Sequence, residues 1–96
     1  MKINDIVWLA QFVEKIKRKH GVSPDEVEEV FANDPSFRRI ERGTVADENL
    51  YRALGQTDGG RYLAVFFIHK GRGSALVISA RDASLKERKS HGQRKK

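Results

Sequence analysis

Residues 61–82 read RYLAVFFIHKGRGSALVISARD. Two apolar runs, Tyr62 to Ile68 and Ala75 to Ser79, are separated by Lys70-Gly71-Arg72-Gly73. Each run is short, flanked by glycine and rich in Val, Ile and Phe, residues that suit a pleated, buried surface. The segment therefore reads as a β-hairpin. Nearly every position of both runs is apolar, rather than every second one, so both faces of the hairpin are expected to lie under other parts of the protein. Arg61 and Arg81 stand at the end remote from the turn. Two cations at one end of a buried hairpin make a natural place to hold a phosphate.

Whether the two arginines cooperate depends on the turn. With Gly71-Arg72 as a two-residue loop, Lys70 pairs with Gly73, Tyr62 falls opposite Arg81, and Arg61 points to the other face. With Gly71-Arg72-Gly73 as a three-residue loop, Leu63 falls opposite Arg81 and both arginines share a face. A one-residue slip reverses every side chain. The sequence leaves both arrangements open and slightly favours the shared face.

Working outward, 96 residues suffice for one small domain with a single core, and residues 1–96 are read as one unit with a basic, frayed tail over 90–96. There are no cysteines, and the three histidines show no His-x-x-x-His spacing, so neither a disulfide framework nor a metal site is expected. No cofactor is implied. The apolar runs are strand-length and no signal-type segment opens the chain, which reads as cytoplasmic, with no membrane partner. The net charge of +6 is one-sided: residues 1–48 hold eight Lys/Arg against ten Asp/Glu, residues 49–96 eleven against three. Such asymmetry is a footprint of binding to nucleic acid or another polyanion, although a basic surface also serves solubility.

Before the hairpin, Met1 to Lys19 reads as a helix, with Ile6, Leu9, Phe12, Val13 and Ile16 on one stripe. It ends on Lys17-Arg18-Lys19-His20 and Gly21, cations at the negative end of the helix dipole followed by the usual terminating residue. Ser23-Pro24-Asp25-Glu26 opens a second helix running to about Ala32. Phe37 to Arg42 and Leu50 to Gln56 read as strands, the polar stretch Gly43 to Asn49 as the loop between them, and Asp58-Gly59-Gly60 as a turn into the hairpin. From Ser84 the chain turns helical and basic, with Ser84 and Glu87 spaced as a capping box. The expected fold is α+β: two N-terminal helices, an antiparallel sheet of about four strands and a short C-terminal helix, with the helices packed on one side of the sheet.

Several of these stretches, taken together, resemble one family. They are Lys19-His20-Gly21-Val22-Ser23 with Pro24 to Phe31, Ala53-Leu54-Gly55-Gln56-Thr57, Gly60-Arg61-Tyr62-Leu63, and Ile78-Ser79-Ala80-Arg81-Asp82 followed by Lys86-Glu87-Arg88. In this order they resemble the BrnT family, toxins of type II toxin–antitoxin pairs. The resemblance implies a RelE-like nuclease fold, an RNA-cleaving, translation-blocking activity, and a ribbon-helix-helix antitoxin as partner. The family's recurring polar residues fall on Lys19, His20, Arg61, Arg81, Glu87 and Arg88. The chain departs from the family at Leu9, where an acidic residue often follows the tryptophan, and at His91, where an aromatic is usual.

RNA cleavage without a metal needs a base for the ribose 2′-hydroxyl, cations for the charge building on phosphorus, and an acid for the leaving 5′-oxygen. Arg61 and Arg81 suit the second task. His20 is the candidate base or acid, since histidine side chains titrate near neutrality; the alternative is a helix-end histidine bound to a carbonyl. Lys19 stands beside it, and Tyr51 has the ring to stack on a base or to fill the core. Arg88 and Lys89, in the basic terminal segment, add salt-dependent affinity for RNA, free or ribosome-bound, or dock on the antitoxin. The expected function is a metal-independent endoribonuclease with His20, Arg61 and Arg81 catalytic. Two other readings remain open: a non-catalytic RNA- or ribosome-binding module, and a protein whose basic surface meets only an acidic antitoxin.

Overall fold

The computed structural model describes residues 1–44 and 48–94. Its elements are β1 (Asp5–Val7), α1 (Ala10–His20), α2 (Pro24–Ala32), β2 (Ser36–Glu41), β3 (Leu50–Gln56), β4 (Tyr62–Lys70), β5 (Ser74–Asp82) and α3 (Leu85–Arg94). The five strands form one sheet in the order β1-β5-β4-β3-β2. From β2 to β5 the sheet is an antiparallel meander, and β1 adds to the free edge of β5 in parallel, which makes the sheet mixed. The expected loop over 43–49 includes residues 45–47, which lie outside the described residues. The expected tail falls partly within α3, which takes in Ser90 to Arg94, and partly outside the described residues.

The strand β1 corrects the reading of Met1 to Lys19 as one helix. The outer edge of β5 would otherwise present unpaired backbone groups, and the N-terminal segment covers it. Ile6 registers with Ala75, Asn4 N–H donates to Gly73 O at 2.7 Å, and Ser74 Oγ donates to Asp5 Oδ1 at 2.6 Å. Ile6 still packs against the core, which is why it fell on the expected helical stripe, whereas Leu9, the next member of that stripe, is exposed. Gly73 allows the close approach: its φ is +82°, and a Cβ there would lie 2.6 Å from Asn4 Nδ2 and 3.1 Å from Lys2 O. Gly73→Ala is therefore expected to cost about 1–2 kcal/mol in chemical denaturation. An unchanged midpoint would show that the β1 docking contributes nothing.

Alternation along β4 sends Leu63, Val65 and Phe67 to one face, all fully buried. Ile16 of α1 and Val27 and Val30 of α2 complete the core there. Phe31, Phe37 and Tyr51 surround the Phe67 ring at centroid distances of 5.3, 6.0 and 5.9 Å. The opposite face carries Tyr62, Ala64 and Phe66, and α3 lies across it. Arg52 on β3 meets Glu87, Ser36 on β2 meets His91, and the Arg88 guanidinium sits over the Tyr62 ring. The expectation that all helices pack on one side is thus corrected. The second face of β4 is apolar as well, and α3 supplies its cover.

The hairpin register settles the two arginines. Lys70 pairs with Ser74 across Gly71-Arg72-Gly73, so the loop has three residues. A β-bulge then intervenes: Phe67 pairs with Val77 but Phe66 with Ser79, leaving Ile78 as the extra residue. Arg81 consequently lies opposite Ala64, not Leu63, and turns to the α3 face. Arg61 turns to the α1/α2 face. The favoured shared face is corrected by one bulged residue.

Candidate active site

On the α1/α2 face the site begins where α1 ends. Gly21 takes the left-handed conformation at φ 63°, its N–H closing on Lys17 O at 2.9 Å. This leaves the carbonyls of His20 and Gly21 facing the end of β4. Arg61 Nη2 donates to His20 O at 3.0 Å and Nη1 to Gly21 O at 2.9 Å. Nη1 also meets both Glu26 oxygens at 3.2 Å, and Nε donates to Asp82 Oδ1 at 2.8 Å. One guanidinium thus joins the end of α1, the start of α2 and the end of β5.

The electrostatics follow from these contacts. The bond to Asp82, ahead of the one to Glu26, raises the Arg61 pKa, with desolvation opposing. The same bond lowers Asp82, assisted by the Arg61 charge and by the nearby His20 ring. Glu26 is lowered first by the Ser23 backbone N–H, at 3.0 Å, and then by Arg61. His20 itself is exposed at the helix end, as is Lys19.

A second cluster occupies the α3 face. Arg81 Nη1 and Nη2 donate to the two Glu87 oxygens at 2.8 and 2.9 Å, a bidentate pair, and Nη1 also reaches Asp82 O at 3.1 Å. The Arg81 guanidinium lies 5.3 Å from the Phe66 ring centre. Glu87 also accepts the Ser84 N–H at 2.8 Å, and its own N–H donates to Ser84 Oγ, which is the expected capping box. Arg52 Nη1 reaches Glu87 Oε2 at 3.3 Å. Both arginines of the sheet end are therefore paired with the glutamate of a helix-opening Ser-x-x-Glu box: Arg61 with Glu26, Arg81 with Glu87. That motif was the signal for these partners. A capping glutamate sits where its carboxylate remains available to a cation, and the sequence reading drew no ion pair from either one.

Held by Arg81, with burial opposing and the Ser84 N–H assisting, the Glu87 carboxyl falls to about 2 from an ordinary 4.5. The folded value is the lower one, so the stabilisation is complete above the unfolded value and disappears as pH falls through the folded value. It amounts to roughly 2–3 kcal/mol. Acid titration of the helical signal should lose this contribution between these two pH values, and Glu87→Gln should remove it. An identical acid profile for the variant would refute the assignment.

Among the expected site residues, the structure brings His20, Arg61 and Arg81 to one end of the sheet, with Asp82 between the two arginines. Lys19 flanks His20, and Arg88 and Lys89 follow on α3, Lys89 exposed. Tyr51 is placed elsewhere. It stacks on Phe67, four residues along β4 from the Leu63–Asp82 pair, or about 13 Å at strand spacing. Sequence reasoning passed over Asp82 and Arg52 and took Glu26 for capping alone, while Glu87 was reached through the capping box and the family resemblance but given no role in the site. Among the described residues no group of three or more His, Asp or Glu could hold a metal ion, and no helix is long and apolar enough to cross a membrane.

Three helices on a five-stranded mixed sheet, with a polar cluster at one sheet end, define an α+β class that includes a solved ribonuclease toxin. The crystal structure of the Brucella abortus ribonuclease toxin BrnT superposes with a TM-score of 0.58 at 28% identity, covering 83% of this chain and 96% of that one. The family model described as the ribonuclease toxin BrnT of type II toxin–antitoxin systems matches residues 8–87. The chain belongs to the BrnT family. No curated protein sequence matches it. As a type II toxin it has an antitoxin for a partner.

Proposed function

We propose that the protein is a metal-independent endoribonuclease of RelE-like architecture that blocks translation by cleaving RNA, and that a ribbon-helix-helix antitoxin restrains it. The observation that carries this reading is that Asp82 links the two faces at one end of the sheet in a member of this family, its carboxylate near His20 on the α1/α2 side and its carbonyl bound by Arg81 from the α3 side. In this reading the His20 imidazole takes the proton of the attacking 2′-hydroxyl or returns one to the departing 5′-oxygen. Arg81, charged throughout and forked, receives the phosphate as charge builds on its oxygens. Arg61 acts as a positioning residue: its donors hold the backbone of His20 and the Asp82 carboxylate. Lys19, Arg88 and Lys89 supply phosphate contacts along the strand, and Tyr51 serves the core.

The test is cleavage of a defined single-stranded RNA, free or ribosome-bound, by the purified protein in excess EDTA. Attack by the 2′-hydroxyl leaves a 2′,3′-cyclic phosphate and a 5′-hydroxyl, and those ends are expected. Cleavage that requires an added divalent ion would overturn metal independence. A second reading, a non-catalytic RNA- or ribosome-binding module, is favoured by one observation: both arginines are already paired with carboxylates. It predicts salt-sensitive binding with no new RNA ends.

A further inference from the structure

The α3 face of the sheet holds more positive charge than its partners neutralise. Arg38 and Arg52 register directly across β2 and β3, an arrangement of like charges that costs stability. Arg81 joins them on the same face, beside Phe66, the residue opposite Arg52. Among the described residues one carboxylate, Glu87, is in contact with them. Arg81 takes both of its oxygens in short bonds, and Arg52 is left with a single contact of 3.3 Å although its side chain is only 15% exposed. Its Nε is buried without a hydrogen-bond partner, and Arg38 is exposed with no side-chain partner among the described residues. A buried cation with unused donors is costly unless something else completes it.

The cover over these donors is held by polar contacts. The α3 residues facing the sheet are Glu87, Arg88 and His91, whereas Leu85 is 67% exposed. Among the described contacts the helix therefore rests on the ion pairs of Glu87 with Arg81 and Arg52, on the contacts of Arg88 and buried His91 with the Tyr62 ring, and on the hydrogen bond of His91 to Ser36, and it contributes no member of the apolar core. A phosphodiester matches the carboxylate it would replace, with two anionic oxygens suited to a forked guanidinium and further oxygens for Arg52.

We propose that Arg38, Arg52 and Arg81 form a phosphodiester-binding site for single-stranded RNA, and that in the free protein Glu87 occupies it, making α3 a displaceable cover. The inference rests on the ribonuclease reading for the identity of the ligand and adds to it the site's new members and its gate. RNA exchanges one anion for another at Arg81, lifts the start of α3 and completes Arg52. Exposed Arg38 then contacts the next phosphate.

The probe is a short single-stranded 2′-O-methyl RNA, which lacks the attacking hydroxyl, so binding is read without cleavage. Glu87→Gln is expected to bind it about tenfold more tightly, with a log–log salt dependence steeper by roughly 0.7–1.4, the equivalent of one or two phosphates. Adding Arg52→Ala to Glu87→Gln should reverse the gain. In the wild-type protein, the same RNA should accelerate amide hydrogen exchange across α3, a readout that needs no variant to fold. Unchanged or weaker binding by Glu87→Gln, or α3 amides equally or better protected in the complex, would overturn the proposal. A wild type that cuts ordinary RNA while Glu87→Gln gains nothing rejects the gate alone. Tighter binding by Glu87→Gln with no cutting by any variant rejects the ribonuclease reading alone.

Discussion

Arg81→Ala is expected to lower RNA cleavage in EDTA by about 10²–10³-fold, the usual effect of removing one donor from a developing oxyanion. The fold should survive, because the Arg81 side chain is 37% exposed and Ala64, its cross-strand neighbour, stays buried. The truncation loosens α3, since Glu87 then keeps only Arg52 and the Ser84 cap. Loosening alone cannot mimic the catalytic loss: Glu87→Gln loosens the same helix while leaving the guanidinium in place. A cation acting on the transition state lowers kcat with little change in KM, whereas one serving only to bind RNA raises KM. Arg81→Lys keeps the charge but not the fork and should fall between wild type and Ala. Wild-type cleavage by Arg81→Ala would remove this residue from the mechanism.

Arg61→Ala is expected to act first on stability, by about 3 kcal/mol. Its side chain is 30% exposed, and its guanidinium serves two helix-end carbonyls and the Glu26 and Asp82 carboxylates. Removing it strands all of them, although Asp82, 69% exposed, is readily solvated and adds little to the cost. Lysine offers one compact ammonium in place of a fork and should recover only a minor part. Chemical denaturation measures the loss, and cleavage per folded molecule measures the displacement of His20. Lost cleavage at unchanged stability would instead make Arg61 a direct phosphate ligand.

Much of the fold was legible locally. Tyr62 to Lys70 and Ser74 to Asp82 are apolar at consecutive positions and separated by glycines, so hairpin formation needs no distant information. The Ser23 and Ser84 boxes mark helix starts because capping is decided within four residues. Residues 5–7 were misread because Ile6 serves the core equally well from a strand, and only the open edge of β5 selects the strand.

The candidate site was legible as a list of residue types and not as an arrangement. His20, Arg61 and Arg81 are recognisable by their chemistry and by the family pattern around them, and all three do reach one end of the sheet. Arg81 also reaches the carbonyl of its neighbour Asp82, but the other partners of the two arginines are 6 to 41 residues away along the chain, and the capping boxes that contain Glu26 and Glu87 do not say which arginine each will meet. By itself the sequence determined the hairpin, the helix starts, the one-sided charge and the family resemblance, each carried by short-range pattern. Only the tertiary structure decided that Ile78 bulges. Side chains on a strand alternate, so one extra residue moved Arg81 to the face opposite Arg61, beneath α3 and into contact with Glu87, the carboxylate it shares with Arg52.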